Sequence, residues 1–252
     1  MPAAGHRHDR SGRPRRHRRH HARTDVPPCD NPNPEWSPLV STAPHPTIRT
    51  TENGPYLCEG GLEVRDADGN VLAAPERFAL CRCGGSANKP FCDGTHARKG
   101  FDGTEAADRG PIAARHDTYP GEVVTIHDDR TVCAHAGLCT DNLKAVFKLG
   151  DEPWIDAGAA SATAIAEQVK RCPSGALSAT IGDDPNPLED DLPPGVQPVP
   201  NGPYRVTGGV QVLAADGTPY EVRNRQTLCR CGGSPNKPFC NGTHWHIGFK
   251  AP

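Results

Sequence analysis

Four side chains, set out twice in the same order, could do chemistry in this chain. Cys81-Arg82-Cys83 is followed by Cys92 and His96, and Cys229-Arg230-Cys231 is followed by Cys240 and His244. Both copies read C-x-C-x8-C-x3-H. Three thiols and an imidazole at such short spacing converge on a metal. Disulfides fit poorly, because the chain has an odd number of cysteines, 11, and cysteines one residue apart seldom reach distant partners with good geometry. Zinc is the default ion for three Cys and one His. A 2Fe–2S cluster also takes four protein ligands, and histidine can replace cysteine there. Zinc sites usually open with two cysteines separated by two to four residues, whereas the first pair here is C-x-C. Ligand type favours zinc and spacing does not, so the residues alone leave both metals open.

A third group reads Cys133-Ala134-His135-Ala136-Gly137-Leu138-Cys139, then Cys172-Pro173. The bacterial 4Fe–4S run is C-x2-C-x2-C with a remote Cys-Pro. Ala136 stands where the middle thiol of that run would be. Alanine cannot ligate, so three thiols remain and favour 3Fe–4S; a fourth ligand from His135, His127 or a carboxylate would permit 4Fe–4S. The plain alternative is three buried thiols. Cys58 is expected to be a small buried residue, because Val206 replaces it in the second copy. Cys29 lies in the lead-in and is not expected to ligate. His45, His116 and His246 are expected at the surface.

These groups must be positioned by small units. Only 35% of the 252 residues are hydrophobic and 5% aromatic, with 27 Gly and 27 Pro, which is poor material for one large core. Residues 53–101 align with 201–249 without a gap at an offset of 148. Each copy opens on Asn-Gly-Pro-Tyr and ends on Gly-Phe. The front half of each reads as short strands around an Asp-Gly hairpin signal, Asp68-Gly69 and Asp216-Gly217. The back half is turn-rich and without helical period, so its order should come from bound metal. Between the copies, 122–126 reads as a strand, 159–171 as a helix with Ala162, Ile165, Ala166 and Val169 on one face, and 176–180 as a returning strand. Pro173 fits the helix stop. The expected organisation is a basic, Pro-rich segment over 1–46, a first module over 47–110, a middle domain over 117–181, an acidic Pro-rich linker over 182–200 and a second module over 201–252.

The sequence Cys81-Arg-Cys-Gly-Gly-Ser-Ala-Asn-Lys-Pro-Phe-Cys92-Asp93-Gly94-Thr95-His96 resembles the CDGSH iron–sulfur family position for position, in its form with Thr before the histidine. The second copy matches except that Asn241 replaces the aspartate. The resemblance implies a 2Fe–2S cluster in each module, held by Cys81, Cys83, Cys92 and His96 and by Cys229, Cys231, Cys240 and His244. Asp93 and Asn241 would support those ligands from behind, and Lys89 and Lys237 are candidate cations tuning the potential. Asn241 lacks charge, which points to a more oxidising second site. The stretch from Val123 to Leu177 resembles divergent single-cluster 4Fe–4S ferredoxins and the 3Fe–4S ferredoxins that serve monooxygenases. It implies one 3Fe–4S or 4Fe–4S cluster on Cys133, Cys139 and Cys172. The fold class expected is therefore α+β in small metal-stabilised domains: two β-rich modules paired as an internal pseudo-dimer, and one ferredoxin-like domain.

A single imidazole in place of a thiolate raises a cluster's potential and makes its ligation sensitive to acid. Electron transfer is the leading expectation, with cluster storage, delivery or redox sensing second and a structural zinc protein third. A stand-alone enzyme is not expected. The partner would be a reductase, an oxidoreductase or an apo-protein that accepts clusters, met by a monomer. Residues 6–23 hold eight Arg, five His and one acidic residue, leaving a body near −9. Such a tail is expected to be disordered; nucleic acid is not the expected partner of that acidic body. No apolar stretch approaches the roughly 18 residues of a membrane helix, and no signal-peptide pattern is present, so a cytoplasmic protein is expected.

Overall fold

The computed structural model describes residues 45–252. The basic tail, its expected disorder and Cys29 lie outside the described residues. Module 1 contributes β1 (Thr47–Thr50), β2 (Tyr56–Glu59), β3 (Glu63–Val64), β4 (Phe78–Leu80) and α1 (Thr95–Lys99). The middle domain contributes β5 (Asp117–Pro120), β6 (Val124–Asp128), α2 (Leu138–Asn142), α3 (Ala162–Lys170) and β7 (Leu177–Ile181). Module 2 contributes β8 (Gly195–Pro198), β9 (Tyr204–Thr207), β10 (Gln211–Leu213), β11 (Arg225–Leu228) and α4 (Thr243–His246).

The two modules complete each other's sheets. One sheet runs β10-β1-β2-β4 and the other β11-β9-β8-β3, so β1 adds in parallel to module 2's β10, and β8 adds in parallel to module 1's β3. The last residues of the expected 182–200 linker are therefore a strand. Val196 is its apolar core residue, as Ile48 is in β1. The exchange adds to the three strands of each module a fourth from the other, widening the apolar face each sheet buries. Ile48, Tyr56, Val64 and Leu80 form one apolar cluster with Val196, Tyr204, Val212 and Leu228. Each such side chain contributes about 1.5–3 kcal/mol when buried, and the cluster spans both copies.

Paired tyrosines fix the pseudo-symmetry. Tyr56 Oη donates to the carbonyls of Cys229 (2.8 Å) and Pro238 (3.0 Å), and Tyr204 Oη donates to those of Cys81 (3.0 Å) and Pro90 (2.9 Å). Cys83 and Cys231 face each other across an antiparallel bridge. Gly84 and Gly232 follow them with φ of 75° and 81°. A Cβ at Gly84 would lie 2.7 Å from the Cys231 carbonyl oxygen, and one at Gly232 would lie 2.8 Å from that of Cys83. Both the left-handed backbone and the close approach require glycine.

The middle domain is an antiparallel sheet in the order β5-β6-β7 with α3 packed on it. Val124 and Ile126 from β6, Ile165 and Val169 from α3 and Leu177 and Ala179 from β7 form its core. Ser161 caps α3, accepting from the Ala164 N–H at 3.3 Å. The stretches 84–94 and 232–242 hold turns and no helix, and each is followed at once by one short helix, α1 or α4. Five and four residues are too short to show a period.

Candidate metal centres

In each module the four donors come in two pairs. Cys81 Sγ and Cys83 Sγ are 3.9 Å apart, and Cys229 Sγ and Cys231 Sγ 3.7 Å. Cys92 Sγ lies 3.3 Å from His96 Nδ1, and Cys240 Sγ 3.4 Å from His244 Nδ1. The first pair follows β4 or β11; the second bridges the end of the loop and the first turn of α1 or α4. Two sulfurs bound at about 2.3 Å to one tetrahedral ion stand about 3.8 Å apart, and a sulfur and a nitrogen somewhat closer. Each pair therefore has the separation that two ligands of one metal ion would have. Among the described residues no three His, Cys, Asp or Glu side chains converge as the shell of a single ion would.

Backbone N–H groups two residues on point back at the sulfurs: Gly85 to Cys83 (3.4 Å), Gly94 to Cys92 (3.5 Å), Gly233 to Cys231 (3.4 Å) and Gly242 to Cys240 (3.5 Å). Such donors favour thiolate over thiol. Burial works the other way, raising the Cys81 thiol and pushing Cys240 up to about 12. Without metal the Cys81 and Cys240 thiols hold their protons, and metal binding there releases them; between Cys229 and Cys231 the shared hydrogen bond lowers the first thiol and raises the second. Burial lowers the pKa of His244, which keeps its ring in the neutral form that ligates.

Asp93 accepts from the Ala87 N–H (2.9 Å) and the Thr95 N–H (3.0 Å), bonds that hold its carboxyl well below the usual carboxylate range. Asn241 accepts from the Thr243 N–H (3.2 Å) and hydroxyl (2.7 Å). The exchange of Asp for Asn has a local reason. Pro235 stands in the place of Ala87 and has no N–H, so a second acceptor oxygen has nothing to receive. Lys89 and Lys237 donate to the carbonyls of Ser86 and Ser234 within the loops, the second at 2.8 Å.

Three cations beside the module ligands had no expected role in the sequence. Arg82 and Arg230, the middle residues of the two C-x-C pairs, are buried. Arg82 donates to the carbonyls of Thr51 (3.0 Å) and Gly103 (2.6 Å), and its guanidinium lies over Tyr56 and Phe101. Arg230 repeats this with Gly202, Val199 and Pro252, over Tyr204 and Phe249. Their signal was an arginine repeated at one place inside both pairs. Lys99 Nζ donates to the Cys83 carbonyl at 3.2 Å, and Ile247 holds that position in module 2.

Cys133, Cys139 and Cys172 line one cavity of about 190 Å³ in the middle domain. The His135 N–H points at Cys133 Sγ (3.4 Å), and Gln168 Nε2 donates to the Leu138 carbonyl (2.6 Å), holding the Cys139 turn on α3. Burial raises the thiols of Cys133 and Cys139. His135 lines the cavity too. His127 does not: its ring lies between Thr118 and Thr180 and stacks on His116 at 4.7 Å. His116 is accordingly half-buried, a departure from the surface position expected, while His45 and His246 are exposed. Asp128 is the carboxylate at the cavity wall. It is buried beside Arg130 Nε at 2.8 Å, and burial pushes its carboxyl up to about 6. Cys58 is fully buried in the shared core.

Comparison with known proteins agrees with this geometry. Residues 53–97 and 201–245 match the family described as iron-binding zinc finger, CDGSH type, and residues 119–181 match the divergent 4Fe–4S mono-cluster family. Two CDGSH regions thus flank a ferredoxin-like domain, and the chain is an iron–sulfur protein. Two curated relatives, both named Uncharacterized protein YjdI, come from Escherichia coli strain K12 and from Escherichia coli O157:H7. Each is 27% identical over 70 residues, which is 28% of this chain and 92% of the relative.

Proposed function

We propose that this chain is a multi-centre electron carrier holding a 2Fe–2S cluster in each module and a 3Fe–4S or 4Fe–4S cluster in the middle domain. The observation that carries this reading is the pairing of donors. Cys81 with Cys83 and Cys92 with His96 each suit one iron of a two-iron cluster, as do Cys229 with Cys231 and Cys240 with His244. A structural zinc site would need all four donors around one point. When bound, such clusters supply one-electron redox chemistry.

The chain's own residues do the rest. Backbone N–H groups and the buried Arg82 and Arg230 offset the negative charge of the thiolates. Tyr56 and Tyr204 lock the ligand loops of opposite modules together through the Cys229 and Cys81 carbonyls. Rigid ligand loops favour repeated electron passage, because little must rearrange. A soluble, cytoplasmic monomer that meets a reductase or oxidoreductase is the matching reading. It is supported by cysteines arranged for metal rather than disulfides, and among the described residues no helix is long and apolar enough to cross a membrane.

Cluster storage, delivery or redox sensing is the second reading, favoured by one observation: His96 is half-buried at the edge of its module, open to a receiving protein. Repeated reduction and reoxidation of the filled protein, followed by sulfide and iron counts, separates the two. A carrier keeps its iron through many cycles, and a donor loses it to an apo-ferredoxin added in excess. Complete transfer to the apo-protein would reject the carrier reading.

A further inference from the structure

The middle domain touches the two modules unequally. Gly242, between the ligands Cys240 and His244, lies against the middle cysteine loop. A Cβ there would be 3.2 Å from His135 Cβ and 3.3 Å from the Ala134 carbonyl oxygen. Gly94, its counterpart, has nothing within 4 Å of the same point. Module 2 also carries the groups that hold the contact. Arg225 donates from Nη1 to the carbonyls of Val169 (2.8 Å), Lys170 (3.2 Å) and Cys172, which end α3, and from Nη2 to that of Leu177 (3.1 Å). These carbonyls lie at and just beyond the C-terminal end of α3, where a buried cation answers the helix's partial charge and adds to the backbone bonds that Val169 and Cys172 already accept from the Cys172 and Gly175 N–H groups. Arg223 binds Asp129 and the Gly175 carbonyl (3.1 Å), and Asn236 Nδ2 donates to the Thr131 carbonyl (2.6 Å). Arg77 and Pro75 occupy the places of Arg225 and Arg223 in module 1, and Arg77 pairs with Glu59 on the surface.

We propose that module 2 and the middle domain form a built, docked pair, held by Arg223 and Arg225, in which the Cys240–His244 loop and the Cys133–Cys139 loop touch so that their two centres exchange electrons, module 1's centre standing apart. The proposal rests on the iron–sulfur reading. One electron leaves one centre and enters the other; no bond forms or breaks, and no third reactant is required. Arg223 and Arg225 are positioning residues: Arg225 holds the backbone carbonyl of Cys172 and neither arginine hydrogen-bonds a ligand sulfur or imidazole, so they act by setting the separation of the two sites.

Electron paramagnetic resonance of the full chain tests this. In the Cys81→Ser/Cys83→Ser variant, the reduced signal of module 2 should be broadened and should relax faster whenever the middle centre is paramagnetic. In Cys229→Ser/Cys231→Ser, the signal of module 1 should not be. Equal broadening in both variants, or none in the first, overturns the proposal. Iron and sulfide counted in the same samples keep the two readings apart: wild-type protein without iron removes the iron–sulfur reading, whereas filled centres with equal coupling remove only the docked pair. If emptying one module also empties its neighbour, Gly242→Ala and Gly94→Ala decide the matter in otherwise unaltered protein. Both positions have nearly the same φ, 82° and 81°, so backbone strain is shared and only the first substitution wedges the contact. Loss of broadening in Gly242→Ala alone supports the proposal, and the same change in both contradicts it.

Discussion

Arg77 and Arg225 hold one position in the two copies and do unrelated work. Arg77 is 74% exposed beside Glu59, while Arg225 is 2% exposed, capping α3 and making a two-pronged pair with Glu189 of the acidic segment. The same division separates Gly94 from Gly242, and half-buried His96 from His244, which is only 4% exposed. The Cys and His letters of the motif are repeated, and the letters that touch the middle domain have diverged. Duplication thus preserved the chemistry of the loops and changed their surroundings, leaving one centre enclosed and one accessible.

The largest consequence is for stability. Removing one partner from a buried, hydrogen-bonded ion pair costs about 3–5 kcal/mol, and from an exposed pair about 0–1 kcal/mol. Arg225→Ala should therefore destabilise strongly in denaturant unfolding and Arg77→Ala scarcely at all. Equal losses would mean that Arg225 is not the anchor of the middle domain.

Access should set the order in which the modules give up metal. An iron chelator is expected to empty module 1 several-fold faster than module 2, followed in variants that keep only one of the two tetrads. Faster loss from module 2 would show that burial of His244 does not protect its site.

Asp128 offers a test inside the middle domain. The folded chain holds the Asp128 proton up to pH about 6, whereas an unfolded aspartate releases it near 3.9. Its contribution to stability is thus present below about pH 4 and lost as pH rises through about 6. Asp128→Asn, always neutral, should raise the Tm at neutral pH and change it little near pH 4. A lower Tm at neutral pH together with a lost iron would instead make the carboxylate a cluster ligand.

The smallest expected effect is on potentials. The sequence, through Asn241, points to a more oxidising second site. The geometry argues for the opposite order. Asp93 is exposed and its charge is shared among backbone donors, so water screens much of it. Lys99 stands beside Cys83 where module 2 has Ile247, and burial around His244 disfavours the extra negative charge of reduction. Redox titration of the two single-tetrad variants should place module 1 higher; a higher module 2 would restore the weight of the Asp93 charge.

The two CDGSH regions and the ferredoxin-like domain between them were legible in the sequence because their motifs are local patterns. The strand exchange was not. Thr47-Ile-Arg-Thr50 and Gly195-Val-Gln-Pro198 share only an apolar second residue, and pairing with the other copy is a long-range event. Arg223 and Arg225 were equally silent, since a charged residue in a polar stretch reads as solvated until its partners some fifty positions away fold against it. Arg82 and Arg230 were in view inside the motif, but nothing local says that an arginine between two metal-binding cysteines is buried.

Iron, zinc and acid-labile sulfide counted on protein purified without air test the paired-donor account most directly. It predicts two irons and two sulfides for each tetrad, three or four irons for the middle domain, and no stoichiometric zinc. Zinc bound in the tetrads without sulfide would contradict it.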